Sequence, residues 1–202
     1  MIKNIVFDFG GVLVDWNPHH LYDPYFGSRE KADWFLAEVC PMAWNVKQDE
    51  GRGFEEAYAE RIALYPEWEK EIRMYYTEFK AMVAGEIPGM DEYLAELKSR
   101  GFHLYGLTNW SNLTFPEERK IYHIFDRLEG IVVSGAEGVI KPNEKIYNIL
   151  TDRYGLNPAE CIFIDDNECN VVGSVAAGWT PGITFKSCAQ LRTELEKLIS
   201  HQ

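Results

Sequence analysis

Apolar and polar positions fall into three successive regimes along the chain. Residues 2–7 are almost continuously apolar (Ile2, Ile5, Val6, Phe7), and the run stops at Gly10-Gly11, which predicts a short buried strand. From about residue 18 to 84 the spacing is helical. Trp34, Phe35, Ala37 and Val39 mark one segment and Phe54, Ala57, Tyr58 and Ile62 another, with no strand expected between. Pro88-Gly89 then punctuates the chain, and Met90, Tyr93, Leu94 and Leu97 form a helical stripe closed by Gly101. Beyond it, apolar runs at residues 102–107, 130–133 and 161–164 alternate with helical stretches at 144–154 and 170–177. Such alternation predicts an α/β fold, a parallel sheet flanked by helices, interrupted early by a helical insertion.

Composition narrows the picture. With 202 residues, 46% of them hydrophobic, the chain can bury one substantial core and carry a small insertion. A formal net charge of -12 argues against nucleic acid as a partner, because phosphate contacts need clustered Lys and Arg. No apolar run approaches the length of a membrane span and no cleavage pattern marks the N-terminus, so the expectation is no membrane association and a cytoplasmic location. Cys40, Cys161, Cys169 and Cys188 are scattered without metal-ligand spacing and read as reduced packing residues. The length suits a monomer or weak homo-oligomer.

Ligands of open parallel sheets bind beyond the carboxyl ends of the strands, so the residues just past each strand matter most. The first run ends in Asp8, the second in Thr108-Asn109 and the last in Asp165-Asp166-Asn167, while Lys141-Pro142 lies between the latter two. Asp8 alone reads first as a turn cap, but Gly10 and Gly11 permit close approach of main-chain groups to a ligand. Asp165 and Asp166 repel one another unless a cation or a donor network compensates; hard oxygen ligands of this kind favour Mg²⁺. Taken singly, Thr108 reads as a helix cap and Lys141 as a solvated lysine as readily as anything else.

In order and spacing these segments resemble the haloacid dehalogenase-like (HAD) hydrolases across nearly the whole chain. Residues Phe7 to Leu13 are similar to the first motif of that family, Leu107-Thr108-Asn109 to the second, Ile140-Lys141-Pro142 to the third and Ile164 to Asn170 to the fourth. The resemblance implies a Rossmann-like core (residues 1–15 and 85–202) with an α-helical cap (16–84). It further implies an Mg²⁺-dependent phosphomonoester hydrolase in which Asp8 is the nucleophile, forming an aspartyl phosphate. Thr108 and Lys141 would complete the catalytic set. Mg²⁺ would be held by Asp8, the Gly10 carbonyl, Asp166 and Asp165, with Asn170 behind them. Gly10, Gly11, Asn109, Trp110 and, in the cap, Trp44 are the expected substrate-binding residues, and a small phosphorylated metabolite is the expected partner.

One position departs from the family pattern. Phosphatases of this family carry a second Asp two residues after the nucleophile as general acid, and here that place is Gly10. Asp15, His19, His20, Asp49 and Glu50 are the candidates to replace it. An Asp-x-Gly opening with an Asp-Asp-Asn fourth motif resembles the sugar-phosphate branch, including glucose 1-phosphate phosphatases. The same glycine suits a 2-haloacid dehalogenase, whose halide leaves without a proton and without metal, or a catalytically weak binder of phosphate ligands. The intact Asp165-Asp166 pair favours the phosphatase. Trp34, Trp44, Tyr58, Trp68, Tyr75 and Tyr76 read first as core of the insertion, with Trp44-Asn45 and the turn from Asp49 to Arg52 as weaker substrate-facing candidates.

Overall fold

The computed structural model describes residues 1–200. In chain order the strands are β1 (Asn4–Phe7), β2 (Val14–Trp16), β3 (Val83–Glu86), β4 (His103–Thr108), β5 (Gly130–Val133), β6 (Cys161–Asp165) and β7 (Thr180–Thr184). Between β2 and β3 lie α1 (His19–Phe26), α2 (Arg29–Trp34), α3 (Met42–Asp49), α4 (Phe54–Leu64) and α5 (Glu69–Thr77). After β3 come α6 (Met90–Ser99), α7 (Phe115–Ile121), α8 (Ser134–Glu137), α9 (Glu144–Tyr154), α10 (Glu168–Ala176) and α11 (Cys188–Ser200).

Five strands pair in the order β5-β4-β1-β6-β7, all parallel, so β1 sits centrally between β4 and β6. Period-2 alternation divides their side chains between two apolar clusters. Ile5, Phe7, Leu104, Ile162 and Ile164 enter one, while Val6, Tyr105, Leu107, Cys161 and Phe163 enter the other. Both faces are covered, which is why these strands read as unbroken apolar runs. Because the three central strands run the same way, Asp8, Thr108 and Asp165 emerge at one edge of the sheet.

Three strands escaped the sequence pattern. β7 is Thr-Pro-Gly-Ile-Thr, a turn-like composition that an edge strand tolerates, because one side of its ladder is unpaired. A Cβ at Gly182 would meet the Phe163 carbonyl at 2.4 Å, so only glycine lets β7 lie this close to β6. β2 and β3 form a separate antiparallel pair that brackets the inserted helices, and β3 begins inside the stretch expected to be wholly helical. At three and four residues they are too short to display a period.

The inserted helices bury Tyr22, Phe35, Trp44, Tyr58, Tyr75 and Tyr76, which join the apolar cluster on the Ile5 and Phe7 face of the sheet. Trp34 departs from the core expectation: it is 44% exposed and leans on Trp68 at the rim. Phe9, just past β1, is fully buried between Phe115 and Phe125, with ring centroids at 5.6 and 4.6 Å. It anchors the loop that carries Asp8. Phe9→Ala is expected to cost about 3–5 kcal/mol, read as a lower urea midpoint with an unchanged m value.

Candidate active site

Lys141 is the centre of the sheet-edge cluster, and its side chain is fully enclosed. Its ammonium lies 2.7 Å from Asp8 Oδ1 and 2.7 Å from Asp165 Oδ2, and donates to the Leu107 carbonyl at 3.0 Å. All three N–H donors therefore have a partner. The backbone is held as firmly. Lys141 N–H donates to Asn109 Oδ1 at 2.8 Å, and Asn109 Nδ2 donates back to the Lys141 carbonyl at 3.1 Å. Asn109 thus fixes the lysine that fixes Asp8, besides lining the cavity.

Asp165 is also fully buried and accepts from Asn170 Nδ2 at 3.1 Å on both oxygens and from the Asn167 N–H at 2.8 Å. Its oxygens are largely spent on Lys141 and these donors. Asp166, one residue on, is exposed to the cavity. It packs against Gly11, where φ is +75° and a Cβ would meet Asp166 Oδ2 at 2.5 Å. Any other residue at position 11 would push this carboxylate away.

Carboxylate oxygens of Asp8, Asp165 and Asp166 come within 4.8 Å of one another. Three carboxylates against one ammonium leave two negative charges in excess when all are ionised. Burial and the neighbouring Asp165 push Asp8 up, against the opposing pull of Lys141; burial and Asp165 likewise raise Asp166. Burial alone would lower Lys141, but the flanking carboxylates hold it above the ordinary lysine range. Excess charge and hard oxygen donors suit a divalent cation such as Mg²⁺, with Asp8 and Asp166 the carboxylates facing the open side.

A cavity of about 400 Å³ opens over this cluster. Asp8, Gly10, Gly11, Asp166 and Asn170 form its floor, and Asn109 and Trp110 one wall. Trp110 is pinned there by its Nε1–H bond to Thr114 Oγ1 at 3.0 Å. Thr108 is 1% exposed at the end of β4, beneath the wall rather than in it. Trp44, expected to face substrate, does not reach the cavity. It lies in the core of the inserted helices against Tyr75 and Tyr76, and its Nε1–H donates to the Ala57 carbonyl.

The opposite face of the same helix supplies the missing wall. Met42, Asn45, Val46 and Asp49 line the cavity at spacings of 3, 1 and 3 residues, one stripe of α3, joined by Trp16 and Phe79. That stripe was present in the sequence, but it mixes two apolar and two polar residues and so gave no hydrophobic signal. Among the acid candidates, Asp15 pairs with His20 and His19 with Asp23 and Asp33, while Glu50 is exposed. Only Asp49 lines the cavity. Burial, then the Asp8 charge, push its carboxyl up to about 8, opposed by Lys141 and by the Ser111 N–H that it accepts.

Comparison with known proteins gives the chain a family and its fold solved relatives. A family model described as haloacid dehalogenase-like hydrolase matches residues 2–178. The chain is 26% identical to the sesquiterpene phosphatase astK of Aspergillus oryzae, over 98% of this chain and 96% of that protein. A HAD family enzyme of Bacteroides thetaiotaomicron, solved with magnesium and inorganic phosphate, shares the fold with a TM-score of 0.70 at 21% identity, covering 93% of this chain and 96% of that one. A dehalogenase crystal structure shares it with a TM-score of 0.65 at 22% identity, covering 88% and 82%.

These charges bear on stability in two measurable ways. Because the folded state raises Asp49, its contribution is most favourable below the ordinary aspartate range and is lost as pH rises toward about 8. In chelator, D49N is therefore expected to melt above the wild type by a small margin at pH 5 and by a larger one at pH 8. Lys141→Met strips the shared cation from Asp8 and Asp165 and is expected to cost about 3–5 kcal/mol by denaturant titration, more at pH 8 than at pH 5.

Proposed function

The chain belongs to the haloacid dehalogenase-like hydrolase family, and on that premise we propose that it is a Mg²⁺-dependent phosphomonoester hydrolase working through an aspartyl phosphate on Asp8. The observation that carries this reading is the buried Lys141 bridging Asp8 and Asp165, with Asp166 free to face the cavity. A carboxylate held by an ammonium at the floor of a cavity is an oriented nucleophile.

Asp8 attacks phosphorus and the bond to the leaving oxygen breaks, while Lys141 offsets charge on the nucleophile. Thr108, at the end of the adjacent strand, is assigned to the phosphoryl oxygens, with the backbone around Gly10 and Gly11. Water then cleaves the phosphorus–Asp8 bond and releases phosphate. Asp8, Asp166 and the Gly10 carbonyl would hold Mg²⁺, which would supply charge neutralisation between an anionic nucleophile and an anionic substrate. Asp165 acts chiefly by fixing Lys141.

Residues 16–84 serve in this reading as a cap whose α3 stripe meets the substrate beyond its phosphate. That part of the cavity is walled by Trp16, Met42, Val46, Phe79 and Trp110, and an adjoining cavity of about 330 Å³ shares Trp16 and Met42. Apolar walls of this kind support a small phosphorylated metabolite with a largely apolar leaving group over the polyhydroxylated sugar suggested by the first motif. The name of the sesquiterpene phosphatase relative supports the same preference. The four cysteines are free thiols, in keeping with a cytoplasmic reaction.

Halide displacement is the second reading, favoured by the glycine at position 10. Phosphate release from alkyl, prenyl, sugar and p-nitrophenyl phosphates, with Mg²⁺ or with chelator, separates the two when run beside halide release from 2-chloropropionate. The expected result is Mg²⁺-dependent phosphate release, lost in D8N, and no halide. Halide release that persists in chelator, with no ester cleaved, would establish the dehalogenase.

A further inference from the structure

We propose that Asp49, carried on α3 of the insertion, is the proton donor to the leaving group that the glycine at position 10 cannot be. The inference rests on the phosphomonoesterase reading and adds to it the residue that completes the reaction.

Placement comes first. Asp49 is the acid that the insertion contributes to the cavity over Asp8, and the core grips it there directly. The Ser134 hydroxyl donates to the Asp49 carbonyl and accepts the Trp110 N–H at 3.0 Å, and the Ser111 N–H donates to the Asp49 carboxylate. Two residues on, Gly51 has φ of +103° and lies so close to Gly135 that a Cβ would meet its carbonyl oxygen at 2.9 Å. The segment after β4 thus reaches the carboxyl of Asp49, while the segment after β5 holds its backbone and that of Gly51.

Orientation comes second. Arg52 Nε–H donates to Gln48 Oε1 at 2.7 Å, Gln48 Nε2 to the Tyr76 hydroxyl at 2.9 Å, and that hydroxyl to Asn45 Oδ1 at 2.8 Å. Asn45 Nδ2 then donates to Asp49 Oδ2 at 2.9 Å. Every link points the same way, so a hydrogen-bond donor always faces Oδ2. Such a chain steadies the carboxylate left once a proton is given up. A structural carboxyl would not need to be aimed into a cavity by a relay of four donors.

The chemistry balances. As the Asp8–phosphorus bond forms and the phosphorus–oxygen bond to the leaving group breaks, the Asp49 carboxyl gives its proton to that oxygen, releasing an alcohol. In the second half, Asp49 carboxylate takes a proton from the water whose oxygen attacks phosphorus. Asp8 leaves as carboxylate, inorganic phosphate departs, and Asp49 is protonated again. The groups that face it are Asp8 and Lys141 from the core and Tyr75 and Tyr76 from α5, of which only Asp8 and Lys141 carry charge near neutrality.

The test is leaving-group dependence in the full-length protein with Mg²⁺. For D49N, turnover of alkyl phosphates is expected to fall ~10²- to 10⁴-fold. With 2,4-dinitrophenyl phosphate, whose leaving group needs no proton, D49N is expected to show a burst of one dinitrophenolate per enzyme and then slow turnover, because only the second step suffers. Acetate or formate is expected to restore part of the alkyl phosphate activity of D49A, which a purely structural role would not allow. Equal losses on both substrates, no burst and no rescue would overturn the assignment. Failure of the wild-type protein to cleave any ester would instead sink the phosphomonoesterase reading on which it depends.

Discussion

A lysine enclosed on all sides between two carboxylates is the constraint around which this protein is organised. Lys141 has no contact with water, and its desolvation is tolerable only because Asp8, Asp165 and the Leu107 carbonyl each accept a hydrogen bond from its ammonium. Removing any partner strands a buried charge. Asn109, Asn167 and Asn170 are consequences of that constraint, because each satisfies an atom that the triad leaves open. The arrangement delivers an oriented carboxylate to the floor of a cavity and a local surplus of negative charge that calls for a divalent cation.

The sheet makes this possible by bringing distant residues level. Three adjacent parallel strands end together, so residues 8, 108 and 165 share one edge, and the loop before α9 drops Lys141 among them. The inserted helices share an apolar cluster with one face of the sheet, and beside the cavity they meet its edge around Asp49, Gly51, Ser134 and Gly135. In the proposed reaction, phosphoryl chemistry falls to the core, and the choice of leaving group and its proton to the insertion.

Much of this was legible in the sequence because the strands are buried on both faces, which leaves unbroken apolar runs ending abruptly in Asp8, Thr108 and Asp165. α9 appears at the predicted residues 144–154 because its periodicity and its closing Gly155 agree. Less was legible where tertiary contacts override composition. β7 hides behind Pro181 and Gly182, and Trp44 attracted a binding role by its size although the helix turns it inward. The stripe at Met42, Asn45, Val46 and Asp49 shows the same limit from the other side. A cavity wall of mixed polarity has no hydrophobic period, so it becomes visible only when the sheet edge it faces is in place. Asp165 and Asp166 looked like one acidic pair, and only burial separates the partner of Lys141 from the carboxylate that faces the cavity.

Acid-quenched trapping of the covalent intermediate tests the role of Asp8 most directly. Wild-type and D8N proteins would be mixed with a ³²P-labelled phosphomonoester and Mg²⁺, quenched within a turnover, and their peptides mapped. Label is predicted on the peptide containing Asp8 in the wild type, with none in D8N. Turnover without label on that peptide, or turnover that survives in D8N, would contradict an aspartyl-phosphate route.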